Sequence, residues 1–136
     1  MINSKNTSQT KKSIPILVKI SAIIILVVSI IGVLFFATVS LYQLFNPEFL
    51  QKFSINNSQY PYLNAYVIIQ SILHLGMLVS SLLIIKLKKI GLILFLLVIS
   101  SIFIIEILLG NEFLISQITL GGLISIVMIT YYRKFE

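Results

Sequence analysis

Few side chains in this chain can do acid–base or coordination chemistry. The 136 residues contain one histidine, His74, and four acids, all glutamate: Glu48, Glu106, Glu112 and Glu136. There is no cysteine, which removes disulfides, thiolate metal sites and thiol nucleophiles. One histidine without clustered carboxylates argues against a metal centre. No GxSxG, HExxH or glycine-rich phosphate loop occurs, so no catalytic residue and no cofactor is expected. His74 and Glu106 stand out because each lies inside a long apolar run. An ionisable group there costs free energy unless it has a partner, and it is a functional suspect by default.

Tyr66, Gln70 and His74 recur at i, i+4 and i+8 and so share one helical stripe. His74 falls about eleven residues into its run, near the middle by the rise of a helix. Two readings are open for it. A neutral imidazole can hold neighbouring helices together through hydrogen bonds worth about 0.6–2 kcal/mol, or it can pass a proton or touch a solute. Glu106 comes three residues before the end of its run, about 5 Å deep. It is either a carboxylate reaching interfacial water or one wall of a polar pocket, Glu106, His74, Gln70 and Gln117, with Gln43 at a similar level. A proton-coupled or cation-binding site would use such a pocket. By depth alone Glu106 and His74 are about 10 Å apart, too far for a direct ion pair. Gly76-x-x-x-Ser80 and Gly121-x-x-x-Ser125 are small-residue pairs that let helices approach closely, and Gly32 is a similar contact point.

The elements that position these groups follow from composition. Hydrophobic residues make up 58% of the chain and charged residues 10%, with a mean hydropathy of +1.08. Soluble domains carry about 25% charged residues, so this chain cannot clothe a water-facing surface. Disorder requires the opposite composition. An integral membrane protein is the expectation.

Four apolar runs are placed at about 16–44, 63–85, 90–109 and 113–132. They are helices, because a chain in hydrocarbon must satisfy its backbone internally, and they are too long for barrel strands of about 9–11 residues. A polar tail covers 1–13, a loop 45–62, and tight turns 86–89 and 110–112. Pro15 is placed in the first turn of the first helix, where a missing N–H costs nothing. In the loop, Asn46, Pro47 and Glu48 read as a helix start, and Phe45, Phe49 and Phe53 share one face. A short interfacial helix over about 46–54 is expected. Lys11, Lys12, Lys19, Lys86, Lys88, Lys89, Arg133 and Lys134 all fall at ends on one side, and only Lys52 falls on the other. The positive-inside rule then makes both termini cytoplasmic. No basic face is left for nucleic acid. The expected partners are the lipid bilayer and either itself or another membrane protein. Isoleucine makes up roughly a fifth of the chain, which points to an AT-rich, bacterial source and hence an inner (cytoplasmic) membrane.

The expectation is therefore an all-α, antiparallel four-helix transmembrane bundle with a short external interfacial helix. The leading functional reading is a non-enzymatic accessory, structural or immunity-type interaction protein. The alternative is an oligomeric small transporter or channel unit with an outer-leaflet polar pocket around Glu106. The direction in which Glu106 and His74 point, inward or toward lipid, separates the two.

Overall fold

The computed structural model describes residues 14–46, 48, 63–109 and 114–136, with side chains described for 14–46, 48, 65–108 and 119–136. The tail with Lys11 and Lys12, the interfacial helix, the turn 110–112 and the Gln117 side chain lie outside these residues. Every described regular element is helical: α1 (Ile16–Phe45), α2 (Leu63–Ile85), α3 (Lys89–Leu109), α4 (Leu114–Thr130) and a final 3-10 turn, Tyr132–Lys134. Among the described residues, α1, α2 and α3 are each long and apolar enough to cross a membrane, and α4 is a shorter apolar helix.

These helices need little local help to form, since their interiors carry no proline and are rich in leucine and isoleucine. Their ends differ slightly from the sequence reading. Pro15 stands just before α1 and not in its first turn, and its carbonyl accepts the Lys19 N–H at 3.0 Å. Asn46 closes α1 through an N–H bond to the Tyr42 carbonyl. Helix α3 begins one residue early, at Lys89, because the preceding turn is so tight. Helix α4 stops at Thr130 and not at 132, because the chain tightens at Tyr131 into the 3-10 turn that carries Phe135 back to the bundle.

Contacts fix the register. Gly91 meets Leu83 and Ile84, Gly76 meets Val98, and Gln70 bonds Glu106, so α2 and α3 run antiparallel. Gly32 meets His74 and Phe36 faces Tyr66, so α1 runs antiparallel to α2. Gly121 of α4 packs on Ile99 and Phe103 of α3. Helix α1 packs along α2 and α2 along α3, while α4 meets α1 and α3 over a smaller area.

The α2–α3 turn ends α2 in a Schellman arrangement: Leu87 N–H bonds the Ile84 carbonyl at 2.8 Å and Lys88 N–H the Leu83 carbonyl at 3.0 Å. Leu87 adopts φ 53°, a left-handed conformation in which glycine is the usual choice. The strain for leucine is about 1–2 kcal/mol. Its side chain is buried, which returns about 1.5–3 kcal/mol, so leucine is tolerated. The C-terminal residues clasp this turn. Glu136 N–H donates to the Leu87 carbonyl, and Lys89 N–H donates to the Glu136 carbonyl, each at 2.7 Å. Phe135 is buried in the same cluster as Ile84, Leu87 and Leu92. The start of α1, the α2–α3 turn and the C-terminal residues therefore share one end of the bundle. Lys19, Lys86, Lys88, Lys89, Arg133 and Lys134 are exposed there, and the Lys89 ammonium sits 5.7 Å from the centre of the Tyr132 ring.

A candidate polar site inside the bundle

Most hydroxyls on these helices turn back to their own backbone. Ser80 and Ser81 donate to carbonyls three residues earlier, and Ser29, Thr38, Ser101, Ser125 and Thr130 to carbonyls four residues earlier. This is how an apolar helix satisfies a serine without a partner, and it removes these groups as wall material for a polar site. Among the described residues, the side-chain bonds of Tyr66 and Gln70 to Glu106 reach across helices in one place.

Glu106 of α3 is 4% exposed. Its Oε1 accepts two hydrogen bonds from α2, one from the Tyr66 hydroxyl at 2.7 Å and one from Gln70 Nε2 at 2.8 Å. Tyr66 and Gln70 can converge on one oxygen because four residues put them on adjacent turns of the same face. Gln70 is almost wholly buried, and with its amide nitrogen committed to Glu106 its Oε1 is left buried without a partner. One turn further along, His74 Nδ1 lies 2.8 Å from the Gln70 backbone carbonyl. A carbonyl can only accept, so Nδ1 carries a hydrogen in this contact. The ring rests on α1, against Gly32, with Phe36 at 5.1 Å between centroids.

These groups line a partly open cavity of about 180 Å³ to which all four helices contribute, with Ile25 and Phe36 from α1, Gln70 and His74 from α2, Phe95 and Glu106 from α3, and Ile124 from α4. Its walls are mostly apolar, with the polar groups at one end. Among the described residues no three His, Cys, Asp or Glu side chains come close enough together to hold a metal ion.

Of the sequence-expected pocket, Glu106, Gln70 and His74 come together, linked through Gln70 without a direct Glu106–His74 bond. Gln43 is half-buried and does not line the cavity. The sequence reading put Tyr66 on the Gln70–His74 stripe but left it out of the pocket, and so missed its bond to the carboxyl group of Glu106. It also missed Gly32 as the seat of His74, which no spacing within one helix reveals. Gly76 and Gly121 lie at helix contacts with α3, Ser80 is buried beside Gly76 on α2, and Ser125 turns its hydroxyl back to the Gly121 carbonyl.

Comparison with protein-family models, with curated proteins and with solved structures finds no match to this chain.

Proposed function

We propose that the chain is a small integral membrane protein that crosses a bacterial inner membrane four times, both termini cytoplasmic, with a non-enzymatic role. We further propose that the bundle interior around Glu106 is a solute site, as in a small transporter or channel unit. Large apolar side chains exposed along every helix suit a lipid surround. Helix α4, with 17 residues, is at the short end of the spanning range of about 17–25. The cationic end shared by α1, the α2–α3 turn and the C-terminal residues would be the cytoplasmic face.

The observation that carries the solute reading is the burial of Glu106 beside a cavity. Tying α2 to α3 needs no carboxylate, since a neutral pair supplies about 0.6–2 kcal/mol. Burying an ionisable carboxyl group in an apolar span costs free energy unless it is partnered. A bundle that keeps such a group there, next to an unpartnered amide oxygen, is arranged for something more than helix contact. The test is flux in liposomes. Glu106→Gln should fold in normal yield and abolish proton-coupled uptake. The accessory reading is favoured by the Tyr66 and Gln70 bonds, which do join two helices. Lost folded yield in Glu106→Gln, with no flux in either protein, would establish that reading instead. Four helices with so few polar residues barely enclose a path, so the transporting unit is expected to be a homo-oligomer.

A further inference from the structure

We propose that the α2–α3 turn and the C-terminal residues together form a headgroup site for an anionic phospholipid. The inference rests on the reading of the chain as a membrane protein with this end at a lipid surface, and it names the lipid class that the end selects. The cations involved come from separate parts of the sequence. Lys86, Lys88 and Lys89 lie at the turn, and Arg133 and Lys134 near the end of the chain. The fold brings them side by side. Glu136 N–H donates to the Leu87 carbonyl and Lys89 N–H to the Glu136 carbonyl, each at 2.7 Å. The 3-10 turn Tyr132–Lys134 is thereby held against the α2–α3 turn, and the Lys89 ammonium stands 5.7 Å from the centre of the Tyr132 ring. Phe135 anchors the arrangement, buried in the cluster that also holds Leu87.

The charge at this end is unbalanced. Lys19, Lys86, Lys88, Lys89, Arg133 and Lys134 are all exposed there, and among the described residues Glu136 is the one acid beside them. Were Glu136 to neutralise one of the six cations, five would remain. A concentration of one sign of charge attracts the opposite ion, and clustered Lys and Arg next to membrane helices recruit anionic headgroups. Arg133 adds a planar fork that matches the geometry of a phosphate. The surface next to the cations commits the occupant to a lipid. Ile16, Ile20, Ile90 and Ile129 are large, apolar and exposed, each within four residues of Lys19, Lys89 or Arg133. A free phosphate gains nothing from such a surface. A phospholipid sets its phosphate among the cations and its chains along the isoleucines.

The test uses the full chain, freed of lipid in a neutral detergent and offered equal amounts of phosphatidylglycerol and phosphatidylcholine with matched chains. Native mass spectrometry reads which lipid is retained. Phosphatidylglycerol should be enriched by roughly tenfold or more, since each cation near an anionic headgroup is worth about fivefold, and the enrichment should shrink as salt rises. Arg133→Gln combined with Lys134→Gln removes two exposed charges and keeps Phe135. It should cut the enrichment by roughly fivefold or more. Phe135→Ala keeps every cation and releases the segment that carries two of them, so it should cut the enrichment too. Equal retention of the two lipids, or unchanged enrichment in the charge variant, overturns the proposal. Unchanged enrichment in a folded Phe135→Ala shows that charge acts without the clasp and overturns the built site. Should Phe135→Ala fail to fold, the charge variant decides, because its side chains are exposed and leave the core intact. Displacement of phosphatidylglycerol by an equal concentration of glycerol 3-phosphate would reveal a free-anion site and overturn the lipid. A chain that stays monodisperse without detergent refutes the membrane reading itself. A chain that needs detergent and shows no preference refutes the headgroup site alone.

Discussion

The His74 imidazole lies directly on the α1 backbone at Gly32: a Cβ placed on Gly32 would stand 1.8 Å from His74 Cδ2 and 2.5 Å from Nε2. No rotation of a methyl group relieves an overlap of that size, so either the ring or the helix must move. Gly32 is therefore the floor on which the Gln70–His74 stripe is held against α1. Gly32→Ala should lower the thermal midpoint of the purified protein and loosen α1 from α2, by about 1–3 kcal/mol for overpacking. Gly122→Ala is the control, since a Cβ there meets nothing within 4 Å. It should leave the midpoint unchanged or raise it. Equal effects of the two substitutions in a melting experiment would refute the close seat of His74.

Tyr66 and Gln70 share one oxygen of Glu106. Tyr66→Phe deletes the hydroxyl and keeps the ring that packs edge-on against Phe36 at 6.3 Å. The expected loss is about 1 kcal/mol, the scale of a hydrogen bond between membrane helices, read by reversible unfolding in mixed micelles. A loss above about 3 kcal/mol would mean that the hydroxyl does more than bond a carboxylate that keeps Gln70.

Phe135 is buried where the C-terminal residues cross the α2–α3 turn. Phe135→Ala should cost about 3 kcal/mol, in the range for emptying an aromatic site, and should free the Glu136 and Lys89 backbone N–H groups for hydrogen exchange. Unchanged exchange at Lys89 would show that the reciprocal backbone bonds hold without the ring.

The proposed topology is open to thiol labelling, because the chain has no cysteine of its own. In intact cells, Glu48→Cys and Ser58→Cys should react with an impermeant maleimide. Ser4→Cys and Lys134→Cys should react only after permeabilisation. Labelling of Lys134→Cys from outside would invert the orientation, and opposite sides for positions 4 and 134 would remove one crossing.

Much of the architecture was legible because it depends on one-dimensional properties. A run of twenty apolar residues can satisfy its backbone only as a helix, and three lysines around a four-residue break force a hairpin. Hence the ends of α1, α2 and α3 fall within one residue of expectation. The end of α4 was less legible, since the shift from α to 3-10 geometry at Tyr131 answers to distant partners, the buried cluster that holds Phe135 with Leu87 and the Glu136 N–H bond to the Leu87 carbonyl. The left-handed Leu87 was hidden for the same reason: its conformation is tolerated only because its side chain is buried by neighbours far along the chain.

The site divides in the same way. The sequence by itself determined that His74 and Glu106 stand within apolar helices, and that Tyr66, Gln70 and His74 share a stripe, because helical periodicity sets which residues of one helix lie together. It could not say which way any stripe faces, since residues on a uniformly apolar helix give no rotational signal. The tertiary structure decided that. Rotation of α2 and α3 about their axes is set by side-chain packing at Gly76, Gly91 and Gly121 and by the bonds to Glu106. Those contacts turned the carboxylate, the amide and the imidazole into one cavity and left the other faces apolar.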